Sequence, residues 1–122
     1  MSKIIVIEED SAMRMLISEW LAGEGHDVRS LPRHDATPDD TVELVILDLP
    51  RPRAPGTGTT HAALAVQAVH AAFPHSSVIG ISTRLGRSLG GDTDVARALG
   101  VNRLLAKPCT REELLGAVAA TL

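Results

Sequence analysis

Three short runs constrain this chain more than anything else in it: KIIVIE at 3–8, ELVILD at 43–48 and SVIGIS at 77–82. Each is apolar and rich in β-branched residues, and none shows the apolar–polar alternation of a sheet with one wet face. Strands of this kind are buried on both sides, as happens when helices cover both faces of a parallel sheet. Between the runs the period turns helical. SAMRMLISEWLAGEG repeats apolar groups at Met13, Leu16, Ile17, Trp20 and Leu21, with Ser11 placed to cap the helix and Gly23 and Gly25 to end it. THAALAVQAVHAAF, 60–73, is Ala-rich and stops at Pro74.

The remaining segments continue the alternation. HDVRSL, 26–31, predicts a weaker strand and NRLLAK, 102–107, a last one. DTDVARALG predicts a short helix capped by Asp92 and stopped by Gly100. Thr110 and Glu113 form a T-x-x-E capping box that opens a final helix, with Leu114, Leu115, Val118 and Leu122 on one side. Strands alternating with helices predict an α/β fold, a doubly wound, five-stranded parallel sheet with helices on both faces. One crossover is irregular. PRHDATPDDTV, 32–42, holds two prolines and three Asp with little apolar period, so the second helix is expected to be short or degenerate.

Composition narrows the function classes. The 122 residues fit one domain, 1–122. Apolar residues make up 44%, and with one Phe, one Trp and no Tyr the core must be aliphatic. The apolar runs are too short to cross a bilayer, and MSKIIVIEED is not a secretory signal. A net charge of −3 argues against a nucleic-acid surface. The lone Cys109 makes no internal disulfide, and the five His residues stand at no ligand spacing and read as surface or loop residues. A reducing, cytoplasmic location is expected. The chain ends on the apolar Leu122 without a tail, and we expect the natural protein to run further.

Ligands of open parallel sheets bind at the carboxyl ends of the strands. Here those ends read Glu8-Glu9-Asp10, Asp48, Ser82-Thr83 and Lys107-Pro108. Gathered together, they would supply several carboxylates, a hydroxyl and an ammonium group. Clustered carboxylates repel one another, and a hard divalent cation such as Mg2+ relieves that cost through oxygen ligands and water. Metal, carboxylate, hydroxyl and lysine are the parts of a phosphoryl-transfer site with a carboxylate nucleophile.

On these residues the chain resembles the response-regulator receiver domains of two-component signalling, the chemotaxis-type module, along essentially its whole length. The elements that carry the resemblance are the acidic run in VIEEDSAMR, the strand VILD with Pro52 and Gly56 behind it, Ser82, and the Lys107-Pro108 pair. The resemblance implies a flavodoxin-like strand order 2-1-3-4-5. It implies that Asp48 is the phosphoacceptor for a histidine kinase or phosphotransfer protein. It places Mg2+ on Glu8, Glu9, Asp48 and the backbone carbonyl of Pro50, and the phosphoryl group on Ser82, the Thr83 backbone and Lys107, with a cis peptide at Pro108. Output would pass through the face of the fourth helix, fifth strand and fifth helix to an output domain, a partner protein or a second copy in a homodimer. No nucleic-acid or membrane partner is implied for this segment, and the chemistry is that of a signalling domain rather than an enzyme.

The chain departs from the family pattern in several places. Glu9 stands where the family has Asp as direct metal ligand, which is expected to weaken Mg2+ binding. Leu104 replaces the switch aromatic. The loop after the acceptor reads Pro50-Arg51-Pro52-Arg53, the second crossover is shorter than usual, and the segment from Ser82 to Lys107 is longer. The alternative is a pseudo-receiver, an interaction module that is never phosphorylated, with Lys107 bridged to Asp48. A phosphatase using Asp48 is a further rival, but its general-acid position two residues on is Pro50, which has no acidic group.

Overall fold

The computed structural model describes residues 2–32, 38–49, 58–82, 100–106 and 109–122. The elements are β1 (Lys3–Ile7), α1 (Ser11–Gly23), β2 (Asp27–Leu31), β3 (Leu44–Asp48), α2 (Gly58–Ala72), β4 (Ser77–Ser82), β5 (Arg103–Ala106) and α3 (Arg111–Thr121). The strands form one sheet in the order β2-β1-β3-β4-β5, and every neighbouring pair is parallel. The α/β reading, the parallel sheet and its order are therefore as expected. The short helix predicted from Asp92 lies outside the described residues, as do residues 33–37 of the irregular crossover. The described remainder of that crossover, 38–42, holds no helix.

The continuous apolar runs follow from what lies on each side. Successive strand residues point to opposite faces. Ile5, Ile7, Val45 and Leu47 pack with Val66, Val69, Ala72 and Phe73 from the α2 side. Ile4, Val6, Leu44 and Ile46 pack with Ile17 and Leu21 of α1 and with Leu114, Ala117 and Val118 of α3. Burial on both faces removes any need for alternation. Cys109 is a buried member of the second cluster, as expected of a small apolar group.

The helix ends correct one expectation. Asp10, not Ser11, caps α1: its Oδ1 accepts hydrogen bonds from the backbone N–H groups of Ala12 (2.9 Å) and Met13 (3.1 Å), and Ser11 is the first helical residue. Both residue types are strong caps, and the extended backbone of Asp10 decides between them. Gly25, with φ +88°, turns the chain out of α1 and into β2. The capping box at Thr110 and Glu113 is formed as predicted. Two apolar residues of the predicted helical stripes are instead on the surface, Leu16 at 42% exposure and Leu122 at 47%. Met13 and Trp20 do pack against the core. His70, expected on the surface or a loop, lies on α2, and its Nε2 stands 2.9 Å from the Gly100 carbonyl oxygen.

Candidate functional site at the carboxyl ends of the strands

The register brings the predicted strand ends to one edge. Ile7 is in register with Leu47, so Glu8 and Asp48 follow each other on neighbouring strands. Asp48 pairs with Ile81, which sets Ser82 one step further along β4, and Ser82 pairs with Ala106. Neighbouring strands lie about 4.8 Å apart, so three chemistry-bearing residues from β1, β3 and β4 occupy adjacent positions. In strand alternation Glu8 and Asp48 share the face of α1 and α3, while Ser82 falls in line with Val78 and Gly80. Pro50, Thr83, Lys107 and Pro108 lie outside the described residues, as do Arg51 and Arg53.

The backbone at this edge is held firmly. Glu8 N–H donates to the Leu31 carbonyl (3.0 Å) and Leu49 N–H to that of Ile81 (2.8 Å). The ladder thus runs one residue past the end of β1 and of β3. Arg14, one turn into α1, donates from Nη1 to the Glu8 carbonyl at 2.8 Å. Sequence reasoning gave Arg14 no role, because nothing in the helical period distinguishes it from a solvated polar position.

The acidic run divides into three environments. Glu8 is 1% exposed, the only buried charged residue among those described, and its Oε1 accepts the Asp10 N–H at 3.0 Å. Glu9 is exposed. Asp10 has its carboxylate engaged in capping α1, which removes it from the set of ready metal ligands. Asp48 and Ser82 are half-buried. Among the described residues no group of three or more His, Cys, Asp or Glu forms a metal cluster. Mg2+ is commonly held by only one or two carboxylates completed by water, and Glu8 with Asp48, on adjacent strands in register, fits that donor set.

Leu104, which the resemblance would set at a switch-aromatic position, is buried at 4% exposure on the α2 side of the sheet. Its Cδ2 lies 3.1 Å from where a Cβ on Gly80 would stand, with Leu49 Cδ1 at 3.0 Å from the same point. The lack of a side chain at Gly80 is what lets these two leucines close over β4. Leu104 is thus packed into the core.

No family model matches the chain, and no curated protein matches it. Solved structures do. It is similar to a response regulator receiver protein from Burkholderia phymatum, with a TM-score of 0.71 and 23% identity over 99% of this chain and 94% of that one. It is similar to the Francisella response regulator 1452 receiver domain, with a TM-score of 0.69 and 16% identity over 99% and 96%. It is also similar to the Vibrio cholerae chemotaxis protein CheY4, with a TM-score of 0.68 and 17% identity over 100% and 99%. No helix among the described residues is long and apolar enough to cross a membrane.

Proposed function

Starting from a chain that has the fold of the CheY-like response-regulator receiver domains, we propose that it accepts a phosphoryl group on Asp48 within a two-component relay. The observation that carries this reading is the register that sets Asp48 beside the buried Glu8 and one step from Ser82 at a single sheet edge. The donor is a phosphohistidine on a histidine kinase or phosphotransfer protein. An Asp48 carboxylate oxygen forms the new O–P bond, the P–N bond of the donor breaks, and the released imidazole takes a proton. Water later cleaves the acyl phosphate, returning Asp48 and inorganic phosphate. The domain is thus a signalling module and not an enzyme with a separate substrate, and it works in the cytoplasm.

Glu8, Asp48, the Pro50 carbonyl and, more weakly, Glu9 would hold Mg2+. When bound, the ion neutralises charge on the phosphoryl oxygens. The Ser82 hydroxyl, the Thr83 N–H and Lys107 are assigned to the phosphoryl group itself. Output is assigned to the face of the fourth helix, fifth strand and fifth helix, where α3 is the fifth helix of the family pattern.

The test is incubation with acetyl phosphate over a range of Mg2+, read by intact mass. One phosphoryl group is expected on the wild type and none on Asp48→Asn. Absence of any adduct on the wild type at every Mg2+ level would overturn the reading. It would leave the pseudo-receiver, which a specific feature already favours: with Leu104 packed into the core beside Gly80, an aromatic switch of the family type has no counterpart here.

A further inference from the structure

β2 is the outermost strand on its side of the sheet, and its backbone and charges suit a second copy of this chain. Asp27 N–H donates to the Ser2 carbonyl, and the Leu31 carbonyl accepts from Glu8 N–H. Residues 27, 29 and 31 therefore turn their main-chain groups toward β1, and by alternation Val28 and Ser30 turn theirs outward. No described strand lies beyond them. Asp27 and Arg29 are both exposed, and among the described residues neither forms an ion pair within its own chain.

We propose that two copies associate by antiparallel pairing of their β2 strands about a two-fold axis at Val28. In that register the two Val28 residues exchange both main-chain hydrogen bonds, and Ser30 N–H of each copy meets the His26 carbonyl of the other. The His26 N–H is already bonded to the Leu21 carbonyl and takes no part. The pairs between these positions set Asp27 of each copy opposite Arg29 of the other, and such non-hydrogen-bonded pairs are the ones whose side chains stand closest. The segment Asp27-Val28-Arg29 is thus complementary to itself.

Competing registers lack this feature. Pairing about Arg29 opposes two like charges, which is destabilising. Pairing about Ser30 sets Arg29 against Leu31. A parallel addition is head-to-tail and does not close. Charges on an edge strand ordinarily protect it from pairing, but that protection depends on like charges meeting, and here opposite charges meet.

A second feature lies on the same edge. A groove of about 450 Å³ runs between α1 and β2, lined among others by Met15, Ser18, Ala22, Val28 and Ser30. The small Ser18 and Ala22 leave it open, and Met15 stands 64% exposed at it. A two-fold axis perpendicular to the sheet keeps both α1 helices on one face and joins the two grooves, which covers Met15.

Sedimentation equilibrium from micromolar to millimolar protein tests this. A reversible dimer that weakens with added salt is expected. Arg29→Asp should raise the dissociation constant about tenfold or more, and the charge-swapped Asp27→Arg/Arg29→Asp protein should recover the wild-type value. Amide exchange on the wild type gives a readout independent of any variant's folding: Val28 and Ser30 should become more protected as concentration rises. A monomer at all concentrations, a dimer indifferent to Arg29→Asp, a swap that restores nothing, or exchange at Val28 and Ser30 unmoved by concentration would each overturn the proposal.

Discussion

The two ends of the sheet use their carboxylates in opposite ways. At the amino end, Asp39 sits against Lys3, with Oδ2 2.6 Å from Nζ, and Thr41 donates to it from its backbone N–H at 2.9 Å and from its hydroxyl. Lys3 N–H also donates to Glu43 Oε2 at 3.0 Å, and Asp39 N–H donates to the Ala72 carbonyl. These acids tie the irregular crossover to β1 and to the end of α2. At the carboxyl end, Glu8 is buried and turned back on its own loop, beside a half-buried Asp48 on the next strand. An acid that holds the fold together is placed against a cation on an exposed rim. An acid buried at a strand tip must be compensated where it lies, and Glu8 is met there by the Asp10 N–H.

The largest expected effect tests the carboxyl end directly. Asp48→Asn should abolish phosphoryl uptake while leaving the melting temperature unchanged or higher. A clear drop in melting temperature would mean that Asp48 serves the fold, as Asp39 does, and the contrast between the ends would disappear. Next comes Glu8→Gln, which keeps the shape and an acceptor for the Asp10 N–H. It should weaken Mg2+ binding about tenfold or more, measured by titration of the free protein, at little cost in stability.

Two further substitutions sharpen the contrast within the carboxyl end. Gly80→Ala places a methyl group 3.0 Å from Leu49 Cδ1 and 3.1 Å from Leu104 Cδ2, and overpacking of this kind costs about 1–3 kcal/mol. Asp10→Ala should cost about 1 kcal/mol through loss of the α1 cap, yet leave the extent of phosphorylation at saturating Mg2+ as in the wild type. If Asp10→Ala instead abolished uptake, the third acid of VIEED would belong to the site and not to the helix.

That division within the acidic run shows where the sequence stops being legible. KIIVI, LVILD and SVIGIS announce buried parallel strands because apolar runs without alternation have few other uses. Their register then carries Glu8, Asp48 and Ser82 to one edge, as the strand-end argument expects. The roles inside VIEED do not follow from residue types. Glu8 and Glu9 are chemically identical, and only the ladder bond from Glu8 N–H to Leu31, with Arg14 on the Glu8 carbonyl, decides which is buried. Asp10 and Ser11 are both good caps, so the helix start shifted by one residue. Met15 lies outside the apolar stripe of α1 and stands exposed at the groove beside β2. The Lys3–Asp39 tie was invisible for another reason: its partners are 36 residues apart, and the loop that carries Asp39 offers three aspartates with no pattern among them.

The smallest expected effect is the one that tests the amino end by pH. Hydrogen bonding to the Lys3 ammonium, reinforced by Thr41, holds the Asp39 carboxyl well below the usual carboxylate range. A carboxyl whose pKa is lower in the folded chain than in the unfolded one stabilises the fold when ionised in both states. The contribution is therefore full above the ordinary aspartate value of about 3.9, and it is lost as the pH falls through the lower value of the folded state. Asp39→Asn should melt slightly below the wild type at neutral pH, and the gap should close on acidification below the ordinary value. The pair lies partly in solvent, with side-chain exposures of 35% for Lys3 and 20% for Asp39, so added salt should shrink the gap at neutral pH as well. Phosphoryl uptake should be the same in both proteins, since the latch lies at the far end of β1 from Glu8. A gap that widened in acid would mean that Asp39 is held protonated in the folded chain, and the Lys3–Asp39 latch would then not be an ion pair.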